Sequence, residues 1–337
     1  MFLINAAATV VAAAIVLGVY FWLQQRSLQT AWGDVRRGIW MALLRIGLFQ
    51  ISDPNDNDTK NWRPHILVLS GAPKKRWALV ELADSLTHNR GLITVTSILP
   101  SGSRDMAQQT VLEQKICDYL ERRGVKALVR LITAPDPFEG AERLVETYGI
   151  GHLVPNTILL GDSEDASRRD RYCQMIAQIH RAGRNVVILR ENRDRGFGNR
   201  QRIDVWWRGM QANGGLMLLL SYLLRTDIDW RNAVISLKLV VPHQAAAQSA
   251  QTNLDSWLKH LRLGVLSQVL VADGQPFEQI LHQSSRDADL IFLGMATPGD
   301  NFTHYYEHLQ TLADNLPTTI FVLATANFAF GEVLANR

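Results

Sequence analysis

Ten short runs of Val, Ile and Leu recur between residues 65 and 324, and stretches with helical spacing separate them. Runs that are nearly continuously apolar are typical of strands buried on both faces of a parallel sheet. Strands that alternate with helices predict an α/β fold. We assign the strands to residues 65–70, 92–98, 126–133, 157–161, 185–190, 203–207, 233–241, 263–271, 289–294 and 318–324.

The second five runs repeat the first five. Residues 275–278 (QPFE) match residues 136–139 (DPFE), and residues 292–294 (FLG) match residues 159–161 (LLG). In each half a helix and a final strand follow the glycine. A repeat of about 130 residues predicts two similar five-stranded, mainly parallel subdomains that lie side by side.

The N-terminal segment predicts a membrane span. No charged residue occurs between Phe2 and Leu23, and an uncharged helix of that length reaches roughly 33 Å, enough to cross a bilayer. Basic residues follow only after the span, which places the C-terminal side in the cytoplasm. We therefore expect the last helix of a polytopic membrane protein, joined to a cytoplasmic body.

A junction connects this span to the body. Residues 31–50 predict an amphipathic helix that lies in the membrane interface or packs on a neighbouring protein surface. Residues 52–59 (SDPNDNDT) predict a polar linker. The resulting division is a transmembrane helix at 1–25, an amphipathic helix and linker at 26–60, a first α/β subdomain at 61–195 and a second at 196–337.

The composition argues against several function classes. The net charge of +3 is small and spread along the chain, so we expect no nucleic-acid partner. The sequence has no GxGxxG, GxxxxGK[ST] or GxSxG motif, and no His or Cys at metal-ligand spacing. We expect no catalytic residue, metal or cofactor, and hence not an enzyme.

Weak ligand-binding candidates follow the strands. In open parallel sheets, ligands bind beyond the carboxyl ends of the strands, where the topology switches direction. The candidates at these ends are Ser70, Gly71, Gly161 and Gly294. Asp162 and Glu164, after the Gly161 turn, are expected to cap the next helix.

A strongly apolar segment in the second half is expected either to lie in the core of the subdomain or to form an interface with another subunit. A strand carrying two adjacent tryptophans leads to a short apolar helix over residues 216–224. The preceding basic loop, residues 193–202, is a solvated connector or a site for anionic headgroups or a partner. Because large apolar side chains dominate interfaces, we predict a homodimer contact through this segment. The candidate residues are Trp206, Trp207, Leu216, Leu219, Leu220 and Leu223.

Several of these segments together resemble the cation-chloride cotransporter family, the sodium/potassium-chloride symporters of the amino acid-polyamine-organocation superfamily. The most specific of them are residues 61–71 (NWRPHILVLSG) and 203–207 (IDVWW) with the later 214–216 (GGL). The other matching segments are 1–5 (MFLIN), 32–34 (WGD) and 156–157 (NT).

The resemblance implies a regulatory, dimer-forming cytoplasmic domain built from two halves similar to universal stress proteins. It also implies a membrane-embedded transporter domain as partner and the lipid bilayer as surroundings, with chloride-coupled sodium or potassium transport by the joined protein. The family's ion-binding residues lie in membrane helices outside this sequence. The alternative is a membrane-tethered, universal-stress-like sensor of a nucleotide or small ligand. Neither half has the G-x2-G-x9-G-[ST] signature of ATP-binding universal stress proteins, so we expect weak ATP binding or none.

Overall fold

The computed structural model describes residues 6–25, 32–51, 62–88, 90–102, 106–163, 165–208, 211–261 and 263–325. Contacts divide the chain into a unit formed mainly by residues 1–56 and a larger α/β unit formed by most of the remainder. The ten predicted strands are confirmed, with ends that differ by at most three residues. They are β1 (His65–Leu69), β2 (Leu92–Pro100), β3 (Leu128–Ala134), β4 (Thr157–Gly161), β5 (Asn185–Arg190), β6 (Arg202–Trp207), β7 (Val234–Val241), β8 (Leu266–Val271), β9 (Leu290–Gly294) and β10 (Thr319–Leu323).

The two predicted halves share a single sheet. Its strand order is β3-β2-β1-β4-β5-β10-β9-β6-β7-β8. Neighbouring strands are parallel except at the centre, where β5 and β10 pair antiparallel with Val187 opposite Val322. Each half has its first strand in the middle, flanked by its second and fourth strands. The repeat seen in the sequence is therefore a repeat of topology.

Helices cover both faces of the sheet and form two apolar layers. The described helices of the larger unit are α3 (Trp77–Thr87), α4 (Met106–Arg122), α5 (Pro137–Thr147), α6 (Arg169–Arg181), α7 (Gln211–Thr226), α8 (Gln244–Leu261), α9 (Phe277–Ser285) and α10 (Phe302–Leu312). Buried side chains from α3, α4, α7 and α8 pack on one face, and those from α5, α6, α9 and α10 pack on the other. Burial on both faces explains why the strands are almost continuously apolar.

The described residues of the smaller unit form two helices, α1 (Ala6–Gln25) and α2 (Trp32–Ile51). Both expose large apolar side chains, for example Val16 at 67% on α1 and Phe49 at 73% on α2. Within the described ranges, no helix has both the length and the apolar composition needed to cross a membrane. The predicted span is therefore not confirmed, and its residues 1–5 lie outside the described ranges.

Both outer strands have a side chain bonded to their free edge. On β3, the Leu131 N–H donates to the Glu113 carboxylate of α4 at 3.0 Å. On β8, the Val269 N–H donates to the Gln251 side-chain oxygen of α8 at 3.1 Å. An unpaired strand edge is a template for pairing with another chain, so these contacts reduce that exposure at both ends of the sheet.

A buried charged network stabilises the second half. Lys238 on β7 lies beside Trp206 on β6, and its ammonium group contacts the Asp204 carboxylate and the Ser284 carbonyl. Asp204 also accepts a hydrogen bond from Ser285 at 2.7 Å. The Ser285 hydroxyl in turn accepts the Trp206 indole N–H at 3.0 Å. Each member has a partner, as buried polar groups require, and the network fixes the Trp206 ring.

Candidate functional site

The first half has a cleft at the carboxyl ends of its central strands. From β1 the chain proceeds to β2 and β3 on one side, then crosses to β4 on the other side of β1. The loops after β1 and β4 therefore diverge, which opens a crevice at the topological switch point. Two adjacent cavities occupy it, of about 370 Å³ and 490 Å³. Both are lined by Lys75, Arg76, Gly161, Asp162, Ser163 and Arg168.

The structure brings three of the four predicted ligand-binding candidates together in this cleft. Ser70 and Gly71 line its first cavity beside Gly161. Gly71 has a φ of 65°, a left-handed conformation that favours glycine, and its carbonyl accepts a hydrogen bond from Ser97. A Cβ at Gly161 would lie 3.1 Å from the Arg76 guanidinium, so glycine leaves room for that side chain. Gly294 occupies the equivalent position of the second half, away from this cleft.

Three cationic side chains line both cavities. The Arg168 guanidinium lies 4.6 Å from the centre of the Phe138 ring and 3.8 Å from the Asp136 carboxylate. The side chains of Lys75 and Arg76 make no hydrogen bond or ion pair with any residue in the described ranges, and both residues are exposed. Their backbone N–H groups donate to the Ala72 carbonyl. The neighbouring Glu164 lies outside those ranges. The cleft can therefore attract a small anionic ligand.

Asp162 does not cap a helix, contrary to the prediction. Its carboxylate accepts hydrogen bonds from Arg190, Tyr306 and Gln310, each at 2.7 Å. The cap of the following 3₁₀ turn is Asp165, which accepts the Ser167 N–H. Because Tyr306 and Gln310 belong to α10, Asp162 joins the cleft to the second half. Its charge is compensated by Arg190, so it does not repel an anion as a free carboxylate would.

A neutral phenol completes the wall of the cleft. Burial raises the pKa of Tyr172 well above 10.0, and the nearby Asp162 charge adds to this effect. The Tyr172 hydroxyl donates to the Gly161 carbonyl at 2.9 Å. Its role is to hold the β4 turn in place. Across the described ranges, no group of three or more His, Cys, Asp or Glu side chains could hold a metal ion.

The cations of the cleft were missed at the sequence level. Lys75 and Arg76 follow the candidate turn directly, in residues 70–76 (SGAPKKR), and this basic run could have been a signal. Arg168 is more than 90 residues away in sequence and comes near only through the β1–β4 pairing. Local patterns do not report such distant proximity.

The predicted interface residues are placed in the protein's own core, which corrects the choice of surface. Trp206, Leu216, Leu219, Leu220 and Leu223 are at most 7% exposed. Trp207 is half-buried, packs edge-on against Trp257 with ring centres 4.9 Å apart, and contacts Gly214. Side chains already removed from water gain little by meeting a second copy. The apolar character of α7 reflects packing on the sheet and on α3.

Comparisons with known proteins agree with this architecture. The cytoplasmic domain of a prokaryotic cation chloride cotransporter superposes with a TM-score of 0.59 at 20% identity, over 81% of this chain and 99% of that domain. A universal stress protein from Archaeoglobus fulgidus superposes with a TM-score of 0.51 at 12% identity, over 80% of this chain and all of that protein. At these identities the likenesses establish the fold.

The family assignment rests on the sequence itself. The profile of solute carrier family 12 matches residues 76–198 and 195–277, which together make up more than half of the chain. The matched region includes the cleft cations Arg76 and Arg168 and the buried pair Asp204 and Lys238. The chain belongs to solute carrier family 12, the cation-chloride cotransporters, and its α/β body has the fold of a cytoplasmic domain from that family.

Proposed function

We propose that the α/β body is the regulatory and dimer-forming cytoplasmic domain of a chloride-coupled sodium or potassium symporter. The observation that carries this proposal is the family match over residues 76–277, supported by the fold of the prokaryotic cotransporter domain. The body offers a ligand cleft and a rigid sheet, which suit regulation. Ion transport belongs to the membrane domain that is its partner.

The smaller unit supports attachment to a bilayer. Its helices expose apolar side chains, among them Val16 on α1 and Trp40 and Phe49 on α2, that a lipid or protein environment would cover. We propose that residues 1–25 span the membrane once and place the body in the cytoplasm. Protease digestion of right-side-out and inverted vesicles tests this orientation. Digestion of the body should occur only in inverted vesicles, and digestion in right-side-out vesicles would contradict it.

The same proposal predicts that residues 1–337 alone transport no ions. An ion path requires polar groups near the bilayer midplane, contributed by several spans. In liposomes, the purified chain should give no chloride-dependent rubidium uptake above that of empty vesicles. Rubidium uptake that is abolished by removing chloride would contradict the proposal that ion transport requires a separate membrane domain.

The body is proposed to form a homodimer through a surface other than the apolar face of α7. Since the apolar face of α7 is buried, a second copy must contact other residues. Sedimentation of the purified chain in detergent should show two copies per particle at tens of micromolar, and a monomer would refute the dimer. Charged substitutions at exposed positions of the body, tested one face at a time, would locate the contact.

The second candidate function is the sensing of a small anionic ligand. The observation that favours it is the cationic lining of the first-half cleft. Lys75 and Arg76 line both of its cavities without a described ion-pair partner. Calorimetric titration with inorganic phosphate and with ATP tests this candidate. Lys75→Ala with Arg76→Ala should weaken phosphate binding, whereas Lys74→Ala, one residue outside the lining, should not. ATP should bind no more tightly than phosphate, because the glycine-rich signature is absent from the sequence.

A further inference from the structure

The second half has a pocket of different chemistry at the carboxyl ends of β6 and β9. It encloses about 240 Å³. The strand registers place Trp206 opposite Leu293 on β9, as Leu69 is opposite Leu160 in the first half. Trp206 thus stands at the position equivalent to Leu69, and its larger ring narrows the space. The result is a smaller, aromatic-walled pocket in place of an open polar cleft.

The apolar wall of this pocket is held in place before any ligand arrives. Trp206 is 2% exposed, and its ring is fixed by the hydrogen bond to Ser285 and by Lys238, whose ammonium lies 5.5 Å from the ring centre. Phe277 meets Trp206 edge-on with ring centres 5.4 Å apart. A rigid aromatic corner can receive a flat ring with little loss of conformational entropy.

The charged side chains that line this pocket, Arg208 and Glu278, are exposed. The Arg208 guanidinium lies 5.3 Å from the centre of the Phe277 ring. Within the described ranges it has no carboxylate partner, although residues 209 and 210 fall outside them. The other titratable groups lining the pocket are Glu278, His308 and Tyr305, and the Tyr305 hydroxyl already accepts a hydrogen bond from the Ala296 N–H at 3.0 Å. Arg208 is therefore the group placed to bind an anion at this mouth.

We propose that this pocket binds a small aromatic carboxylate, with its ring against the half-buried Phe277 ring, which the buried Trp206 holds in place, and its carboxylate on Arg208. An arginine fork pairs with a carboxylate through two parallel hydrogen bonds, which orients the ligand as well as attracting it. The volume of about 240 Å³ admits one ring with a short acidic side group. Glu278 at the rim opposes the ligand charge, so it limits affinity and disfavours dianions.

The test is a ligand-observed NMR titration of the whole chain with phenylacetate, using the neutral phenylacetamide and the ringless acetate as controls. Phenylacetate should bind about tenfold more tightly than either control, because each control lacks one of the two contacts. Arg208→Gln should remove this preference and Arg208→Lys should keep part of it. Glu278→Gln should tighten binding about twofold by removing a like charge.

Arg76→Gln is the matched control, since it removes a cation from the first-half cleft and leaves this pocket unchanged. Phenylacetate binding that persists in Arg208→Gln, that is lost in Arg76→Gln, or that is equalled by phenylacetamide would overturn the proposal. So would the absence of binding at tens of millimolar phenylacetate. Arg208 is exposed, so an unchanged melting temperature will show that the Arg208→Gln chain is folded.

Discussion

The Lys238 ammonium lies 2.7 Å from the Asp204 carboxylate, and both side chains are completely excluded from solvent. Removing one partner of a buried ion pair leaves an uncompensated charge. Lys238→Met should therefore lower the free energy of unfolding by about 3–5 kcal/mol. Asp204→Asn combined with Lys238→Met should be less harmful than the sum of the two single changes. Urea denaturation measures all three variants, and a loss below about 1 kcal/mol in Lys238→Met would contradict the prediction.

Glu113 should matter for association as well as stability. Its carboxylate accepts the Leu131 N–H at the free edge of β3. Glu113→Ala should cost about 1 kcal/mol and increase concentration-dependent association, because the edge N–H becomes available to another strand. Glu113→Gln retains an acceptor oxygen and is the matched control. Light scattering over a concentration series measures association, and identical curves for the Ala and Gln variants would refute this role.

His65 makes stability depend on pH. Burial lowers the pKa of His65 below its ordinary 6.5, and the nearby Arg184 charge adds to this effect. Below pH 6.5 the unfolded chain therefore binds a proton that the folded chain does not, and unfolding becomes easier as pH falls. His65→Asn should reduce the loss of melting temperature between pH 7 and pH 5.5. His243→Asn, at an exposed position, should not. Equal acid sensitivity of wild type and His65→Asn would count against this assignment.

Gly214 should not tolerate alanine. A Cβ at this position would lie 2.7 Å from the Trp207 ring, so the aromatic packing with Trp257 would have to shift. Overpacking of this kind costs about 1–3 kcal/mol. Gly299→Ala is the control, because a Cβ there meets nothing within 4 Å. Thermal melting compares the two, and a Gly214→Ala chain as stable as wild type would show that the ring moves freely.

The strands could be predicted because burial on both faces leaves a strong local signal. β4 (Thr157–Gly161) and β5 (Asn185–Arg190) match their predicted ends, and the internal repeat indicated the shared topology of the halves. The pairing of β5 with β10 could not be predicted, since apolar periodicity does not report which edges meet. For the same reason, the apolar residues of α7 predicted that this helix is buried, but not whether it is buried in the core or against a second subunit.

Of the residues that line the cleft, the sequence predicted only Ser70, Gly71 and Gly161 as ligand-binding candidates. Gly71 and Gly161 follow strand ends, a position that the α/β topology makes meaningful. Asp162 looked like a helix cap because its partners Tyr306 and Gln310 are more than 140 residues away. The cations of the cleft also assemble from distant loops. The sequence therefore shows which residue types are present, but it does not show which distant side chains come together in the cleft.

The antiparallel pairing of β5 and β10 places the candidate binding sites of the two halves at opposite edges of the sheet. Because the halves run in opposite directions, their carboxyl edges face opposite sides of the body, and the polar cleft and the aromatic pocket open away from each other. A membrane domain or second subunit that covered one opening would leave the other accessible to the cytosol. One rigid sheet could thus receive a contact from the transporter at one end and a small metabolite at the other.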